Sequence, residues 1–168
     1  MGLSKLSAAA LAAGAAKDNF GAGAVIATTM IRYGTRMAIG SVSAGFIAFS
    51  GTFTKQKADS IIIATCNVFG SGYASGNCGV GLKLDSAWDY GVAYQYDGAW
   101  SQTLQTVLIT GHCQWSGIAA GSHTIGFGWN PINGASGEKP FDYLNPNNTY
   151  EPRNQQMVSS ILVHEVTV

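Results

Sequence analysis

The side chains that could carry out chemistry in this chain are three histidines, three cysteines and a few scattered carboxylates. The histidines His112, His123 and His164 each lie in a stretch whose pattern predicts a β-strand. Adjacent residues of a strand point to opposite faces, so His112 and its neighbour Cys113 cannot bind the same metal ion. His123 with a histidine of another strand, or one histidine repeated around a threefold axis, would be alternative metal geometries. Ordinary structural histidines explain the pattern more simply, and we expect no metal and no other cofactor.

The other reactive residues do not follow a catalytic pattern. The cysteines Cys66, Cys78 and Cys113 are odd in number and include no Cys-x-x-Cys pair, which favours buried reduced thiols over disulfides or a zinc site. The sequence has no Gly-x-Ser-x-Gly segment, and Asp85 and Asp89 have the positions of turn residues. No glycine-rich loop leads into a helix with Lys-Ser/Thr, as a phosphate site would require. We therefore expect a protein that is not an enzyme.

The longest regular pattern is SQTLQTVLITGHCQWSGIAAGSHTIGFGW, which covers residues 101–129. It predicts two β-strands joined by a turn at Ser116–Gly121, that is, a β-hairpin. Alternate residues of each strand are mainly apolar and would form one buried face. In the first strand they are Val107, Ile109, Cys113 and Trp115, and in the second they are His123, Ile125, Phe127 and Trp129.

Alternation, or a high content of β-branched residues, predicts six further strands. They cover Ala24–Tyr33, Phe46–Lys55, Ala58–Phe69, Cys78–Leu84, Trp88–Tyr96 and Met157–Val168. The short link at Asp85–Ala87 predicts a hairpin between the fourth and fifth of these, with most of the aromatic face that begins at Trp88 in the core. The last strand is apolar on both faces and should be a central or interface strand.

All four prolines of the chain lie in residues 130–156, which predicts a long loop outside the sheet ladders. Long loops in small domains are often functional, and Phe141, Tyr143 and Tyr150 are aromatic residues of the kind that interfaces use. The loop is interpreted either as a contact surface or as a lid over an open end of the sandwich. Together the elements predict an all-β, antiparallel β-sandwich of jelly-roll type at residues 24–168.

Residues 1–23 form an Ala-rich arm before this domain. An alanine-rich helix this short is marginal on its own, so the arm, whether helical or extended, should order on assembly as an anchor. A cleaved secretory signal is the alternative interpretation.

The charge pattern excludes some partners and favours others. Lys+Arg and Asp+Glu are both 9, so the formal net charge is zero, which argues against nucleic acid and anionic membranes as partners. Charged residues make up 11% of the chain, against about 25% in an average soluble domain. A symmetric oligomer that hides part of the surface would explain this, and an uncharged polar surface on a monomer is the alternative.

The order of several segments resembles one group of viral proteins. An Ala/Gly-rich start is followed by AVIATTMIRYGTR, DSIIIATCNVFGSG, GVGLKLDSAWDYG, the pair ITGHCQW and GSHTIGFGW, and finally SSILVHEV. This order resembles bacteriophage virion proteins, namely trimeric jelly-roll domains that decorate the head or form the tips of tail fibres. The resemblance covers roughly residues 24–168. A short arm in place of a long shaft is more like a head decoration (cement) protein or a separately encoded fibre tip.

The resemblance implies a structural homotrimer on the virion surface, with other virion proteins such as the major capsid protein or fibre and baseplate proteins as partners. Leu3, Leu6 and Leu11 of the arm would dock on the virion. In a receptor-binding tip, a host glycan or protein would meet an outer surface, for which we name Trp100, Phe141, Tyr143 and Tyr150. A secreted carbohydrate-binding or carbohydrate-active jelly-roll protein, or a secreted trimeric signalling protein, is the rival from another class.

Overall fold

The computed structural model describes residues 22–40, 45–71, 78–89, 106–131, 139, 141–145 and 157–168. In these residues the chain forms two antiparallel sheets that face each other as a β-sandwich, and it contains no helix that is long and apolar enough to span a membrane. The strands are β1 (Val25–Tyr33), β2 (Met37–Ala38), β3 (Phe46–Lys55), β4 (Ile61–Ser71), β5 (Cys78–Leu84), β6 (Ala87–Asp89), β7 (Thr106–Trp115), β8 (Gly121–Pro131), β9 (Tyr143–Leu144) and β10 (Ser159–Val166).

The larger sheet has six strands built around β4. One edge of β4 pairs with β10, and β10 pairs in turn with β1, while the other edge of β4 pairs with β7. The short strands β9 and β2 pair with each other, and β9 pairs with the last residues of β4. The last strand of the chain is therefore central in the sheet, as its two apolar faces predict.

The smaller sheet has four strands in the order β3–β8–β5–β6. Its strands β3 and β5 have the bounds that the sequence pattern predicts, and β5 and β6 form the predicted hairpin through the turn at Asp85 and Ser86. Asp85 has a φ of 50°, in the left-handed region that short polar turn residues tolerate. This confirms Asp85 as a turn residue.

The predicted hairpin of β7 with β8 is wrong. β7 pairs with β4 in the six-stranded sheet, whereas β8 pairs with β3 and β5 in the four-stranded sheet. Residues 116–120 therefore carry the chain across the sandwich from one sheet to the other. Both strands turn their apolar faces towards the same core. The alternation of apolar residues is therefore the same whether the two strands pair in one sheet or lie in opposite sheets.

The core lies between the two sheets and is formed by their inward-facing residues. Among the described side chains, the predicted inner faces of β7 and β8 are confirmed, apart from half-buried His123 at the end of its strand. The core includes Phe49, Phe53, Ile62, Val68, Val80, Leu82, Ile109, Ile125, Phe127, Trp129, Ile161 and Val163. Cys66 and Cys113 are buried there as reduced thiols, as predicted, while the side chain of Cys78 lies outside the described residues.

Trp88 does not belong to this core, contrary to the sequence prediction. Trp88 of β6 pairs with Lys83 of β5. Directly paired residues lie on the same face of a sheet, and Lys83 is on the outer face of the four-stranded sheet. Next to them on this face lies Gly128, where an added Cβ would stand 3.0 Å from the Trp88 ring. The glycine leaves room for the indole to lie against the outside of the sheet, so Trp88 is half-buried rather than enclosed. The remainder of its predicted strand lies outside the described residues.

A buried asparagine joins the ends of four strands in the six-stranded sheet. The Asn145 side chain donates to the carbonyl oxygens of Tyr33 and Thr35 and accepts from the backbone N–H and hydroxyl of Ser159, at 2.6–3.2 Å. Its backbone N–H donates to the Phe69 carbonyl oxygen. β9 ends at Leu144 and β10 begins at Ser159, and the two strands lie end to end along β4.

The proline-rich segment therefore does enter a ladder, which the sequence analysis did not predict. Tyr143 and Leu144 pair with both β2 and β4. Phe141, two residues before Tyr143, is fully buried, with its ring 5.6 Å from that of Trp129. The proline rule excludes the prolines themselves from a ladder, but it does not exclude the residues between them.

The fit of Phe141 depends on Gly70 of β4. A Cβ added at Gly70 would lie 2.3 Å from the Phe141 ring, a distance at which the ring must move. We expect Gly70→Ala to lower the free energy of unfolding by about 2 kcal/mol, the usual cost of overpacking, measured by urea denaturation. Gly40→Ala is the matched control, because an added Cβ there meets nothing within 4 Å. Equal stability of the two variants would contradict the described docking of Phe141.

Candidate functional site

Five polar residues meet at one end of the sandwich, and we call them the polar cluster: Lys55, Ser60, Asp85, His123 and Glu165. Lys55 is the last residue of β3, and Glu165 lies near the end of β10 in the opposite sheet. Ser60 precedes β4, Asp85 lies in the β5–β6 turn, and His123 lies near the start of β8. Alternation turns Lys55 and Glu165 inwards, so both charged residues are buried where the apolar core ends.

The Glu165 carboxylate receives three hydrogen bonds. The backbone N–H of Gln56 donates to Oε2 at 2.8 Å, and that of Lys57 donates to Oε1 at 2.7 Å. The Ser60 hydroxyl donates to Oε1 at 2.6 Å. Burial raises the pKa of Glu165, but these hydrogen bonds and the Lys55 charge outweigh it, so the pKa lies below its usual range. The carboxylate therefore ties β10 to the connection between β3 and β4.

Lys55 supplies the positive charge of this end of the core. Its side chain is 1% exposed, and its ammonium group donates a hydrogen bond to the carbonyl oxygen of Lys57. A buried ammonium without a compensating charge is very costly, and the Glu165 carboxylate is the anion whose pKa its charge helps to lower. Lys55 and Glu165 thus offset each other across the two sheets.

His123 and Asp85 form an ion pair at the more open side of the cluster. Nδ1 of His123 lies 2.8 Å from Oδ2 of Asp85, and Nε2 lies 2.9 Å from the Ala119 carbonyl oxygen. Asp85 Oδ1 accepts from the Thr124 backbone N–H. The side-chain hydrogen bond with Asp85 raises the pKa of His123, and the same contact lowers that of Asp85. The histidine is therefore held in place by hydrogen bonds, as predicted for an ordinary structural histidine.

This arrangement is poorly suited to catalysis. A general base needs an available lone pair and access to a substrate proton. The Glu165 carboxylate is 2% exposed and already accepts three hydrogen bonds, and the Ser60 hydroxyl lies within hydrogen-bond distance of that carboxylate and of the Lys57 carbonyl oxygen. Both ring nitrogens of His123 are already engaged, one with the Asp85 carboxylate and the other with the Ala119 carbonyl oxygen. The hydrogen bonds of the polar cluster therefore have a structural role: they link the two sheets and the connections between their strands.

The described residues also give no metal site, since no group of three or more His, Cys, Asp or Glu could hold an ion. His112 and His164 both lie on the outer face of the six-stranded sheet, on opposite sides of β4. His164 Nδ1 is hydrogen-bonded to the Thr28 hydroxyl at 3.0 Å. His123 is at the far end of the other sheet's inner face, so the three histidines do not converge within one chain.

The outer face of the six-stranded sheet is the most unusual surface. We define this outer face by three rows that cross β1, β10, β4 and β7. They are Thr28, His164, Ile63 and Gln114; Met30, Leu162, Thr65 and His112; and Arg32, Ser160, Asn67 and Thr110. Arg32 is the only Asp, Glu, Lys or Arg in the three rows. Met30 is 59% exposed, and Leu108 in the next row is 53% exposed.

The structure places the predicted contact residues apart. Phe141 is fully buried, and its side chain is therefore not available for an outer contact. Tyr143 is half-buried, and the Arg36 guanidinium carbon lies 4.1 Å from its ring centroid, a cation–π contact. Trp100, Tyr150 and the proposed docking residues Leu3, Leu6 and Leu11 lie outside the described residues.

Sequence reasoning missed the polar cluster because its members are far apart in the chain. Ser60 and Glu165 are separated by 105 positions, and His123 and Asp85 by 38. One signal was present: Lys55 and Glu165 each stand at an inward position of an alternating strand. A charged residue on an apolar face is normally paired when it is buried.

Comparison with known proteins does not assign the chain to a family. No protein-family model matches the sequence, and a search of curated proteins finds no match. Function must therefore be inferred from the contacts and surfaces described above.

The polar cluster gives a stability prediction. We expect Glu165→Gln to lower the free energy of unfolding at pH 7 by about 3 kcal/mol, because it leaves buried Lys55 without its compensating charge. The Glu165 pKa is depressed by folding, so its contribution is present above the ordinary glutamate pKa and is lost as pH falls through the folded value. The difference in the free energy of unfolding between the wild type and Glu165→Gln should therefore become smaller at acid pH.

Urea denaturation at pH 7 and at acid pH measures both effects. Asp59→Asn is the control, since Asp59 is an exposed carboxylate beside Ser60 and its replacement should change stability by less than about 0.5 kcal/mol. A Glu165→Gln variant as stable as this control at pH 7 would contradict the role given to the carboxylate.

Proposed function

We propose that the protein is a non-enzymatic structural subunit of a bacteriophage virion, and that it self-associates through the outer face of the six-stranded sheet. In this proposal the sandwich has the jelly-roll topology, and the assembly is a homotrimer that decorates the head. The arm at residues 1–23 binds the major capsid protein through Leu3, Leu6 and Leu11. The observation that carries the proposal is an exposed four-strand-wide surface with one formal charge.

The composition of the outer face supports self-association. Sheets of a sandwich that face water normally alternate an apolar inner side with a polar outer side. Here the outer positions include Met30, Leu162 and Ile63, all at least partly exposed. On the outer face of the four-stranded sheet, the large apolar side chains Ile47 and Trp88 are only half-buried and none is fully exposed among the described residues. Its exposed positions in β3 and β8 are small and hydroxyl-bearing: Ser50, Thr52, Thr54, Ser122 and Thr124. This contrast favours the outer face of the six-stranded sheet as the one that contacts a partner and the outer face of the four-stranded sheet as the one that faces solvent.

The size of the outer face is also suitable. Four strands about 4.8 Å apart and three rows, or about six residues rising about 3.4 Å each, give about 400 Å² in projection. A standard interface buries about 800 Å² of accessible surface on each partner, and side-chain relief makes the accessible area larger than the projection. A neutral, mostly uncharged surface is best matched by another neutral one, which a second copy of the chain provides.

A charge placed in the middle row of the outer face, at Met30 of the edge strand β1, tests self-association. We expect Met30→Glu to weaken assembly at least 100-fold, because an unpaired carboxylate would be buried in the interface. Sedimentation velocity over a dilution series measures the shift to monomer. Thr52→Glu, an exposed position on the other sheet, is the matched control and should leave assembly unchanged. Equal assembly of both variants would exclude the outer face as the interface.

The virion assignment is tested on purified phage particles. Quantitative mass spectrometry should find the protein in a fixed ratio to the major capsid protein if it decorates the head. Deletion of residues 1–23 should abolish this incorporation while the trimer remains intact in solution. Stoichiometric incorporation of the truncated protein would contradict the anchoring role of the arm. Incorporation at a few copies per particle would favour the fibre-tip alternative, in which Tyr143, Trp100 and Tyr150 remain the residues to replace.

One observation favours a second candidate function, carbohydrate binding. Trp88 lies half-buried on the outer face of the four-stranded sheet, with the Lys83 ammonium 5.8 Å from its ring centroid. Aromatic rings held against a flat surface beside a polar group bind sugars by stacking and hydrogen bonding. Thermal stabilisation by an oligosaccharide that is lost in Trp88→Ala and kept in Met30→Ala would support this candidate. A glycan array with no binding at all would remove it.

A further inference from the structure

His123 stands where three segments meet: the start of β8, the β5–β6 turn and the connection 116–120 between the sheets. Nδ1 is 2.8 Å from the Asp85 carboxylate, and Nε2 is 2.9 Å from the Ala119 carbonyl oxygen. Both of these partners are acceptors and have no proton to give. Each contact therefore needs an N–H on the ring, and only the imidazolium form has both.

We infer that protonated His123 is a clamp that holds the connection 116–120 to the β5–β6 turn, and that loss of one proton releases the connection. A neutral imidazole has a single N–H, so one of its nitrogens would present a lone pair to an oxygen less than 3 Å away. Hydrogen bonds to a carboxylate are stronger than those to a neutral carbonyl. The remaining proton therefore stays on the Asp85 side, and the Ala119 contact is the one that is lost.

The released segment has a structural role in the sandwich. Residues 116–120 carry the chain from Trp115 of the six-stranded sheet to Gly121 of the four-stranded sheet. Ile118 packs against the edge of the core, and the His123 ring lies 5.7 Å from that of Phe53. Release of the Ala119 contact would therefore loosen this edge of the core while the sheet ladders remain paired.

The charged groups that face His123 come from three elements. The β5–β6 turn gives Asp85, whose hydrogen bond raises the pKa of His123. Strand β3 gives Lys55, whose charge lowers it and is itself offset by Glu165 of β10. The connection 116–120 has the sequence SGIAA and contributes no ionisable side chain. The net result is a His123 pKa above its usual value.

The direction of the pH effect follows from these groups. A pKa raised by folding gives stability that is complete below the unfolded value, near 6.5, and that is lost as pH rises through the folded value. The Asp85 pKa is lowered, so the carboxylate stays charged until the pH falls below its ordinary range. The clamp is therefore closed below the ordinary histidine pKa and opens as the pH rises through the raised folded value.

Methyl NMR on the full-length protein, labelled at isoleucine and alanine, tests the clamp. From pH 6 to pH 9 the Ile118 and Ala119 methyl resonances should shift with one midpoint, which lies above 6.5 and matches the titration of the His123 ring. Their order parameters should fall across the same range, while the methyl group of Ile125 in β8 should be unchanged. The midpoint in Asp85→Asn should lie lower than in the wild type, because the partner charge is lost.

Two variants provide the controls. His123→Gln should remove the pH dependence of the Ile118 methyl resonance, whereas His112→Gln, on the outer face of the other sheet, should keep it. If His123→Gln does not fold, Asp85→Asn still tests the inference, since Asp85 is largely exposed. A His123 titration at or below 6.5, or an Ile118 methyl resonance that does not follow it, would overturn the inference. Neither result depends on self-association or on a virion location.

Discussion

The buried carboxylate of Glu165 is the contact on which the arrangement of this sandwich most depends. Its two oxygens accept from the backbone of Gln56 and Lys57 and from Ser60, and its charge offsets that of Lys55. These contacts join β10, inside the six-stranded sheet, to the end of β3, the edge strand of the four-stranded sheet. A carboxylate can be buried only when it is hydrogen-bonded and compensated, so its position fixes the β3–β4 connection and the end of the core together.

A second buried polar residue, Asn145, joins strand ends within the six-stranded sheet. Asn145 is fully buried, and its side chain holds Tyr33, Thr35 and Ser159 where β9 gives way to β10. The two ends of the sandwich are thus closed by satisfied polar groups, and the space between them is filled by aromatic and aliphatic side chains. Among the described residues, Trp129 Nε1 is the one buried side-chain nitrogen or oxygen without a hydrogen-bond partner. The polar groups at the two ends are used in structural contacts, so we look for function at the surfaces. The clearest difference between the two described outer faces is the exposure of large apolar side chains, Met30 and Leu108, on the six-stranded sheet.

Local pattern predicted the seven longer strands, most of their inward-facing residues and the β5–β6 hairpin, but not the two-residue strands β2 and β9 or the partners of β7 and β8. The bounds of β3 and β5 and the central position of β10 follow from alternation and from apolarity on both faces. The partners of β7 and β8 do not, because a five-residue connection such as 116–120 can turn back within a sheet or cross to the other one. Trp88 was misplaced for a related reason, since alternation assigns two faces without saying which is the inner one. The contacts of Glu165 and Asn145 join residues far apart in the chain and leave no local pattern.

The proposed function requires that other copies of the same chain cover the outer face of the six-stranded sheet. The absolute mass of the wild-type protein, from light scattering on a sizing column at several concentrations near physiological pH, tests this. A homotrimer would have a mass of three times 17.5 kDa that persists on dilution. A monomer of 17.5 kDa at every concentration would contradict it, and the uncharged outer face would then need a different partner.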